Sequence, residues 1–382
     1  MRICYCIDSL SVLGGLQSVT VAKANALAAI PGNEVYILVG DTSVSNGATY
    51  SVVPAVKVID LGTNIYGSNV RNLVGSLFNQ LNVFRRLRKA YLRVFSEIRP
   101  DIVISTGSAE KFILPSVAGQ AKCIREIHFA KHYRKLYART FHEKIVAFIG
   151  EKLDYVFSIK RYDKVLSLTN EDYEENWKRW DKMEVMPNPY PLKERSVSTS
   201  RSKTIISTGR LDPIKNFPLL IKAFAGIASA FPDWTLEIYG VGSKKEQLLE
   251  LINVLGMTDR VFLKGYTSDV MSVLEKAAFF AFSSNCEGFP MSIIEAMGCG
   301  LPVVSTQCPC GPKDIITPGK DGFLVPVDDE KALAEKMSLL MADDELRCRM
   351  GAAARERAAD FSIDKIIARQ MDLFHRLTGK EE

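Results

Sequence analysis

One pattern constrains the fold of this chain more than any other. Short apolar runs alternate with longer helical stretches, and the alternation occurs twice. The first series comprises the runs at 2–7, 34–40, 56–61, 101–106, 121–129 and 164–169. The second comprises 204–210, 235–240, 261–266, 278–284, 302–306 and 322–326. Parallel strands need crossover connections, usually helices, so each series predicts a doubly wound α/β unit.

A segment rich in Pro, Ser and charge, residues 186–203, separates the two series and has no apolar periodicity. Such a composition is typical of a linker between domains. The expected organisation is an N-terminal domain at 1–187, a linker at 188–203, a second domain at 204–360 and a C-terminal helix at 361–382, which is expected to pack back on the first domain. Ligands of such sheets bind beyond the carboxyl ends of the strands, so the loops there hold the candidate residues.

The length and composition favour a folded globular protein of two domains. The 382 residues are 47% hydrophobic and 24% charged, with a net charge of +5. No run of about 18 apolar residues is present, and the first residues predict a buried strand rather than a signal peptide. The eight cysteines lack the paired spacing of a zinc ribbon and are expected to be reduced thiols, which favours the cytoplasm.

Two loops carry groups suited to anions. Gly14 and Gly15 precede a helical stretch, where the backbone can approach a ligand closely, although a plain tight turn fits equally well. They form neither a Gly-x-Gly-x-x-Gly fingerprint nor a P-loop. Arg210 and Lys215 follow the first run of the second series, where a guanidinium and an ammonium suit a diphosphate. The alternative is a pair of ordinary surface cations.

The stretch NCEGFPMSIIEAMGCG, residues 285–300, places Glu287 before an expected short helix and Glu295 inside it. Pro290 suits the first helical turn, which leaves N–H donors free for a phosphate. Carboxylates instead accept hydrogen bonds from hydroxyl groups. We therefore expect Glu295 to bind a ribose and Glu287 a transferred sugar, as in a nucleotide-sugar site. The expected helix donors are the N–H groups of Met291, Ser292 and Ile293, and Phe289 completes the donor-binding set.

These motifs resemble one known family. From about Thr204 to Met350 the chain is similar to the donor-binding half of family 4 glycosyltransferases of the GT-B fold. The two glutamates separated by seven residues, the segment GRLDPIKNFPLLIKAF and the segment GFLVP carry this resemblance. The first half is matched mainly by the Gly14-Gly15 loop and by RPDIVISTGS.

The resemblance implies two Rossmann-like domains facing each other across a cleft, retention of anomeric configuration, and no bound metal or cofactor. It also implies that Arg210 and Lys215 neutralise the diphosphate and that the Gly14-Gly15 loop closes over it. His128 ends a run of the first series, where the family frequently places a polar residue facing the donor sugar. Pro290 departs from a glycine that is common in the family, which removes one backbone donor.

Positive charge concentrates in the first domain. Residues 121–144 contain seven Lys or Arg against two Glu, together with His128, His132 and His142. The histidines lack a further ligand at metal spacing, so a metal site is disfavoured. The interleaved aromatic residues Phe129, Tyr133, Tyr137 and Phe141 suit a lipid phosphate or a membrane surface, although a solvated basic face is the alternative. Residues 82–95 add five cations without an acid, and no nucleic-acid module appears.

The resulting hypothesis is a metal-independent retaining hexosyltransferase with catalytic residues Glu287, Arg210, Lys215 and His128. It would transfer a sugar from a nucleotide sugar, expected to be a UDP-sugar, to a hydroxyl of a glycan or lipid-linked acceptor in bacterial surface polysaccharide biosynthesis. The expected location is cytoplasmic, with peripheral attachment to the inner face of the cell membrane left open. The alternatives are a glycogen-synthase-like or phosphorylase-like glucan enzyme and a non-enzymatic nucleotide-sugar-binding relative.

Overall fold

The structure is a computed structural model. It describes residues 1–11, 14–40, 50–63, 73–107, 109–131, 140–178, 180–190 and 202–380, with the backbone only at 73–81. The chain divides into two compact units. Unit 1 comprises Met1–Pro189 together with Ile363–Glu382, and unit 2 comprises Tyr190–Ser362.

Unit 1 is built on a seven-stranded parallel sheet in the order β3-β2-β1-β4-β5-β6-β7. Its strands are β1 (Arg2–Ile7), β2 (Glu34–Val39), β3 (Val56–Asp60), β4 (Ile102–Ser105), β5 (Lys122–Ile127), β6 (Lys164–Ser167) and β7 (Met183–Val185). Its helices are α1 (Gly15–Ala28), α2 (Leu73–Ile98), α3 (Phe141–Phe157), α4 (Asn170–Asp172, continued by a π turn at Tyr173–Trp177) and α12 (Ile363–Thr378). Short 3-10 turns lie at Ala109–Phe112, Leu114–Ser116 and Ile159–Arg161.

Unit 2 is built on a six-stranded parallel sheet in the order β10-β9-β8-β11-β12-β13. Its strands are β8 (Thr204–Thr208), β9 (Thr235–Tyr239), β10 (Val261–Gly265), β11 (Phe279–Phe282), β12 (Val303–Thr306) and β13 (Gly322–Val325). Its helices are α5 (Phe217–Ile227), α6 (Lys245–Val254), α7 (Val270–Leu274), α8 (Met291–Gly298), α9 (Pro312–Ile315), α10 (Glu330–Ala342) and α11 (Asp344–Ala358). Two 3-10 turns lie at Ala228–Ala230 and Ala359–Phe361.

The strands read as continuous apolar runs because helices cover both faces of each sheet. In β1, for example, alternate side chains enter different cores: Cys4 and Cys6 pack with α2 residues, whereas Ile3 and Tyr5 pack with residues of α1 and α12. A sheet covered on one side only would instead alternate apolar and polar residues. The doubly wound α/β class predicted from the sequence is therefore confirmed.

Each of the twelve predicted runs overlaps a strand, with ends that coincide or differ by at most two residues. One strand was missed. β7 is only three residues long, and its sequence, MEV, carries no apolar run; it is defined by pairing of Met183 with Val165 of β6. A short edge strand of this kind is specified by its neighbour more than by its own sequence.

The boundaries differ slightly from those expected from the composition. Unit 2 begins at Tyr190, whose N–H donates to the carbonyl of Phe361. Most of the expected linker, residues 191–201, lies outside the described residues. The C-terminal helix α12 buries Ile366, Met371 and Phe374 in the core of unit 1.

Candidate functional site

Three loops at the carboxyl ends of neighbouring strands meet in unit 2. They follow β8, β11 and β12, which lie side by side in the sheet. The N–H of Asn285 donates to the carbonyl of Ile214 (2.8 Å), and the N–H of Glu287 donates to the carbonyl of Pro309 (3.1 Å). These backbone hydrogen bonds hold the loop of Glu287 between the other two, so the predicted residues are brought together by the sheet order.

Lys215 and Glu287 form the central ion pair of this loop cluster. Lys215 Nζ lies 2.7 Å from Glu287 Oε1, and the side chains are 19% and 14% exposed. The ammonium also lies 5.2 Å from the centre of the Phe282 ring. Ser283 Oγ donates to the Lys215 carbonyl (2.8 Å), which holds the backbone of the lysine against β11. The pair is partly shielded from water yet remains accessible to a ligand.

Arg210 lies in the same loop but is much more exposed. Its guanidinium is 3.2 Å from Asp212 Oδ2, and its side chain is 76% exposed. Asp212 also accepts the N–H groups of Ile214 (3.0 Å) and Lys215 (3.4 Å) through Oδ1. Asp212 therefore orders the turn that presents both cations. Sequence reasoning missed this residue, although an Asp two residues before Ile214 is a familiar turn signal.

Glu295 lies on α8 and is half-buried. Burial raises the pKa of its carboxyl above the ordinary value, and the Lys215 ammonium opposes that shift. Lys215 is therefore close enough to act on both glutamates. A carboxylate that is desolvated and incompletely compensated in this way favours a ligand that brings hydroxyl donors to it.

The start of α8 differs from the expectation in two respects. Pro290 is the residue before the helix, with φ −74° and ψ 92°, rather than a member of the first turn. The N–H of Ile293 donates to the Pro290 carbonyl (3.0 Å), so the prediction that this N–H is free was wrong. The N–H groups of Met291 and Ser292 have no acceptor among the described residues, and neither does the buried Ser292 hydroxyl. Two backbone donors and one hydroxyl thus remain for an anion at this helix start.

Two glycines allow the close packing behind these loops. At Gly240, with φ +152°, a Cβ would lie 1.8 Å from the carbonyl oxygen of Gly209. At Gly311, with φ +112°, a Cβ would lie 2.3 Å from Pro290 Cδ. Both positions require glycine because any side chain would displace a loop of the site. Phe289, in the loop before α8, is buried and packs edge-on against the Phe361 ring, which holds that loop in place.

Asn216 is a second residue that the sequence did not single out. It precedes α5 in the left-handed conformation, with φ +45°. Its Nδ2 donates to Asn285 Oδ1 (2.9 Å) and to Asp328 Oδ1 (2.8 Å). It therefore fixes the distance between the Lys215 loop and the Glu287 loop. Asparagine tolerates the left-handed region better than most residues, and Lys-Asn-Phe-Pro at a helix start was the available signal.

The predicted residues of unit 1 lie at the carboxyl ends of β1 and β5. Gly14 and Gly15 lead into α1, and the Gly14 N–H donates to Tyr50 Oη (2.9 Å). His128 follows β5, and its side chain is 6% exposed. It lines a cavity of about 480 Å³ together with residues of several strand ends, among them Asp8, Thr106 and Gly107. Sites of this unit and of unit 2 therefore both occupy strand ends.

A buried ion pair, which the sequence did not reveal, lies under His128. Lys23 Nζ is 2.9 Å from Glu126 Oε1, and both side chains are 1% exposed. Burial alone would raise the pKa of Glu126, but Lys23 and His128 outweigh that effect and hold the pKa at about 2. The available signals were the lone lysine within the apolar stretch VTVAKANALAA and the carboxyl within the strand KCIREI.

Only part of the histidine cluster lies within the described residues. His142 lies on α3, while His132, Tyr133 and Tyr137 lie outside the described residues. Within the described part of the chain, no group of three or more His, Cys, Asp or Glu residues is arranged to hold a metal ion. None of the described helices is long and apolar enough to cross a membrane.

Comparison with known proteins shows similarity to glycosyltransferases. Residues 191–357 match the model of glycosyl transferases group 1. An uncharacterized glycosyltransferase of Haemophilus influenzae is 27% identical over 372 residues, covering 96% of this chain and 98% of the relative. A Campylobacter jejuni enzyme, GalNAc-alpha-(1->4)-GalNAc-alpha-(1->3)-diNAcBac-PP-undecaprenol alpha-1,4-N-acetyl-D-galactosaminyltransferase, is 26% identical and covers 96% of each chain.

A solved structure shows the same fold. A mutant of Staphylococcus aureus TarM, in complex with fondaparinux, alpha-GlcNAc-glycerol and UDP, superimposes with a TM-score of 0.78 at 16% identity, covering 98% of this chain and 99% of that one. The two parallel sheets and this likeness show that the chain has the GT-B fold. Together with the relatives that align over nearly the whole chain, the match supports a glycosyltransferase of the family 4 type, the class that the sequence motifs predicted.

Proposed function

We propose that this enzyme transfers a sugar from a UDP-sugar, with retention of configuration, to a hydroxyl of a lipid-linked glycan during assembly of a bacterial surface polysaccharide. The observation that carries the proposal is the grouping of Lys215, Glu287 and the free N–H donors of α8 on three linked loops. Relatives support the two substrates: the TarM structure contains UDP, and the Campylobacter jejuni relative acts on an undecaprenyl-linked glycan by its name.

The ion pair of unit 2 suits a diphosphate leaving group. Without ligand, Glu287 is the counter-ion of Lys215. A bound diphosphate would compete for the ammonium, and Glu287 would then accept hydrogen bonds from the hydroxyls of the sugar. Arg210, which is 76% exposed, has the freedom to move onto the phosphates. The N–H groups of Met291 and Ser292 would complete an arrangement that stabilises negative charge without a metal ion.

The remaining roles follow from the same geometry. Glu295, desolvated on α8, binds the ribose hydroxyls, and Phe289 fixes the loop from below. The glycosidic bond to the diphosphate breaks as the acceptor oxygen bonds to the anomeric carbon on the same face. The acceptor proton passes to a diphosphate oxygen. Within unit 1, the backbone of Gly14 and Gly15 is suited to a phosphate, and His128 offers a ring nitrogen to a sugar hydroxyl.

Unit 1 also carries features suited to an anionic membrane surface. Helix α3 exposes large apolar side chains at helical spacing: Phe141, Ile145, Val146, Phe148, Ile149, Leu153, Val156 and Phe157. Helix α2 exposes a run of cations: Arg85, Arg86, Arg88, Lys89 and Arg93. The Phe84 ring of α2 packs edge-on against Phe112, and Arg161, in the 3-10 turn that follows α3, donates to the Phe112 carbonyl. An apolar face beside exposed cations is typical of a helix that lies in a lipid interface.

The direct test of the transfer is a donor screen. The purified protein is incubated with a panel of nucleotide sugars, and release of nucleoside diphosphate is measured by mass spectrometry.

The ribose role of Glu295 is tested by calorimetry with UDP. Glu295→Ala should bind UDP more weakly than the wild type does, while Glu250→Ala, a change at an exposed residue of α6, should bind it equally well. Unchanged UDP affinity of Glu295→Ala would contradict the ribose role.

The membrane proposal is tested with vesicles. The protein should float with vesicles that contain anionic phospholipid at low salt and dissociate at high salt. Replacing Phe148 and Ile149 by Ser should abolish flotation, whereas Leu249→Ser, at an equally exposed apolar residue of unit 2, should not. Normal flotation of the α3 variant would contradict the proposal. If the wild type were a dimer and the α3 variant a monomer, the apolar face would instead be an interface with a second copy of the chain. Failure to bind vesicles would favour the soluble-glucan alternative.

A further inference from the structure

The buried network beneath His128 joins four separate parts of unit 1. Glu126 Oε1 accepts from Lys23 Nζ on α1 (2.9 Å) and from Gln370 Nε2 on α12 (3.4 Å). The same Gln370 amide donates to Tyr5 Oη on β1 (2.9 Å). The side chains of Lys23, Glu126 and Gln370 are essentially inaccessible to water. The first oxygen of Glu126 is thus fully occupied and held from two helices.

The second oxygen of Glu126 faces His128. Glu126 Oε2 lies 3.2 Å from His128 Nε2, and neither atom has a hydrogen-bond partner among the described residues. Two buried polar atoms without partners, at hydrogen-bond separation, are each the natural partner of the other.

We propose that Glu126 is a positioning residue that accepts the Nε2–H of His128 and thereby fixes the proton position and orientation of the ring at the wall of the unit 1 cavity. The neutral imidazole has one donor and one acceptor nitrogen, and the bond made by one nitrogen determines the state of the other. An ionised carboxylate can only accept, so Nε2 must carry the proton. The Nδ1 atom is then left as the acceptor available to a ligand hydroxyl.

The surroundings keep Glu126 in the ionised form that this role requires. Lys23 supplies the positive charge, while Tyr5 and Gln370 supply neutral dipoles. The pKa of about 2 is consistent with a permanent carboxylate at physiological pH. A buried ion pair of this kind contributes little net stability, because desolvation opposes the attraction. Its placement directly beneath a functional side chain accounts for it better than stability does.

The proton position can be read directly by NMR. The protein has four histidines, so a long-range proton–nitrogen correlation of histidine-labelled protein contains four ring systems, and His128→Gln assigns the one of interest. At about pH 8, where free imidazole is neutral, the wild type should show His128 protonated on Nε2. A proton on Nδ1 would overturn the proposal.

Variants then test the cause. Glu126→Gln should release the ring to a mixture of tautomers, because an amide can donate as well as accept. Since this change leaves Lys23 without its counter-ion, the double variant Lys23→Met/Glu126→Gln is measured beside it. The matched control is Glu110→Gln, another carboxyl of unit 1 that is 1% exposed, which should leave the His128 signals unchanged. An Nε2–H ring retained in both Glu126 variants would contradict the proposal.

The consequence for turnover rests on the proposed function, whereas the NMR result does not. In the donor assay, Glu126→Gln should lower kcat by about tenfold or more, with KM for the nucleotide sugar within about twofold, because the ring is misoriented rather than lost. A normal kcat beside a released tautomer would overturn the positioning role alone. Absence of turnover by the wild type, with Nε2 protonated, would count against the proposed function alone.

Discussion

The two units place the same pair of residue types in opposite environments. In unit 1, Lys23 and Glu126 are 1% exposed each, at 2.9 Å. In unit 2, Lys215 and Glu287 are 19% and 14% exposed, at 2.7 Å. The distances hardly differ, so geometry alone does not separate the roles. Access does: a ligand can compete for the Lys215 ammonium, whereas no ligand reaches that of Lys23.

The neighbours of the glutamates also differ between the two units. Glu126 has two further neighbours, Gln370 and His128, and its pKa is held at about 2. Glu295, the second glutamate near Lys215, has its pKa raised by burial. Unit 1 thus neutralises its buried carboxylate with an internal lysine, while unit 2 leaves one incompletely compensated. Such incomplete compensation is characteristic of binding sites, where the ligand supplies the missing partners.

The sharpest way to break this comparison is to remove each lysine in turn. Lys23→Met leaves Glu126 as a buried carboxylate without its counter-ion, so we expect a loss of about 3–5 kcal/mol in the free energy of unfolding of unit 1. Urea unfolding followed by circular dichroism measures this. The double variant Lys23→Met/Glu126→Leu removes both charges and should recover most of the loss. A single variant as stable as the wild type would show that the pair is not buried as described.

The second largest expected effect is the loss of unfolding free energy in acid that is due to Glu126 of unit 1. The pKa of Glu126 is about 2 in the folded protein and near 4.3 in an unfolded chain. Because the folded value is the lower one, this carboxylate stabilises the fold above about pH 4.3, and the contribution disappears as the pH falls towards 2. The shift favours the ionised over the protonated form of Glu126 in the folded protein by on the order of 3 kcal/mol, which is not the net contribution of the ion pair to stability.

The measurement is the free energy of unfolding at about pH 5 and pH 3 in wild type and Glu126→Gln. The variant should lose less stability between these values, since its residue 126 has no proton to gain. Glu97→Gln, an exposed carboxyl of α2, should keep the wild-type dependence. Identical slopes in all three proteins would refute the low pKa of Glu126.

Lys215→Met should affect turnover instead of stability. Loss of one cation that stabilises a departing diphosphate lowers kcat by about 100-fold or more. The free energy of unfolding should change by less than about 1 kcal/mol, because the pair is partly hydrated. Lys264→Met removes a more exposed lysine of unit 2, paired with Glu237 at 3.4 Å, and should leave turnover unchanged. Normal turnover by Lys215→Met would remove this residue from the donor site.

The sequence predicted unit 2 well because its signals are local. Lys215 and Glu287 each follow an apolar run by a few residues, so strand and loop could be identified from one short window. Parallel strands then bring such loops to one edge without further information. The detail of α8 was less predictable: whether Pro290 precedes the helix or begins it depends on one backbone angle, and the bond from Ile293 follows from it.

The network of unit 1 was beyond local reasoning. Lys23 and Glu126 are 103 residues apart, and Gln370 is a further 244 residues from Glu126. Nothing in the α1 sequence shows that its single lysine points into the core, because a lysine in an apolar helix commonly extends to solvent. The exposure of the apolar face of α3 was equally unpredictable, since an amphipathic pattern does not show whether another element covers that face.

The smallest expected effect tests the uncompensated carboxylate of unit 2. Since burial raises the pKa of Glu295, ionisation opposes folding: its contribution to stability is present below the unfolded pKa and is lost as the pH rises through the folded one. Glu295→Gln should therefore stabilise the protein at neutral pH by up to about 1 kcal/mol while weakening UDP binding. Glu250→Gln, exposed on α6, should change neither property. A destabilised Glu295→Gln would mean that this carboxylate has an internal partner, and that unit 2, like unit 1, satisfies its own charges.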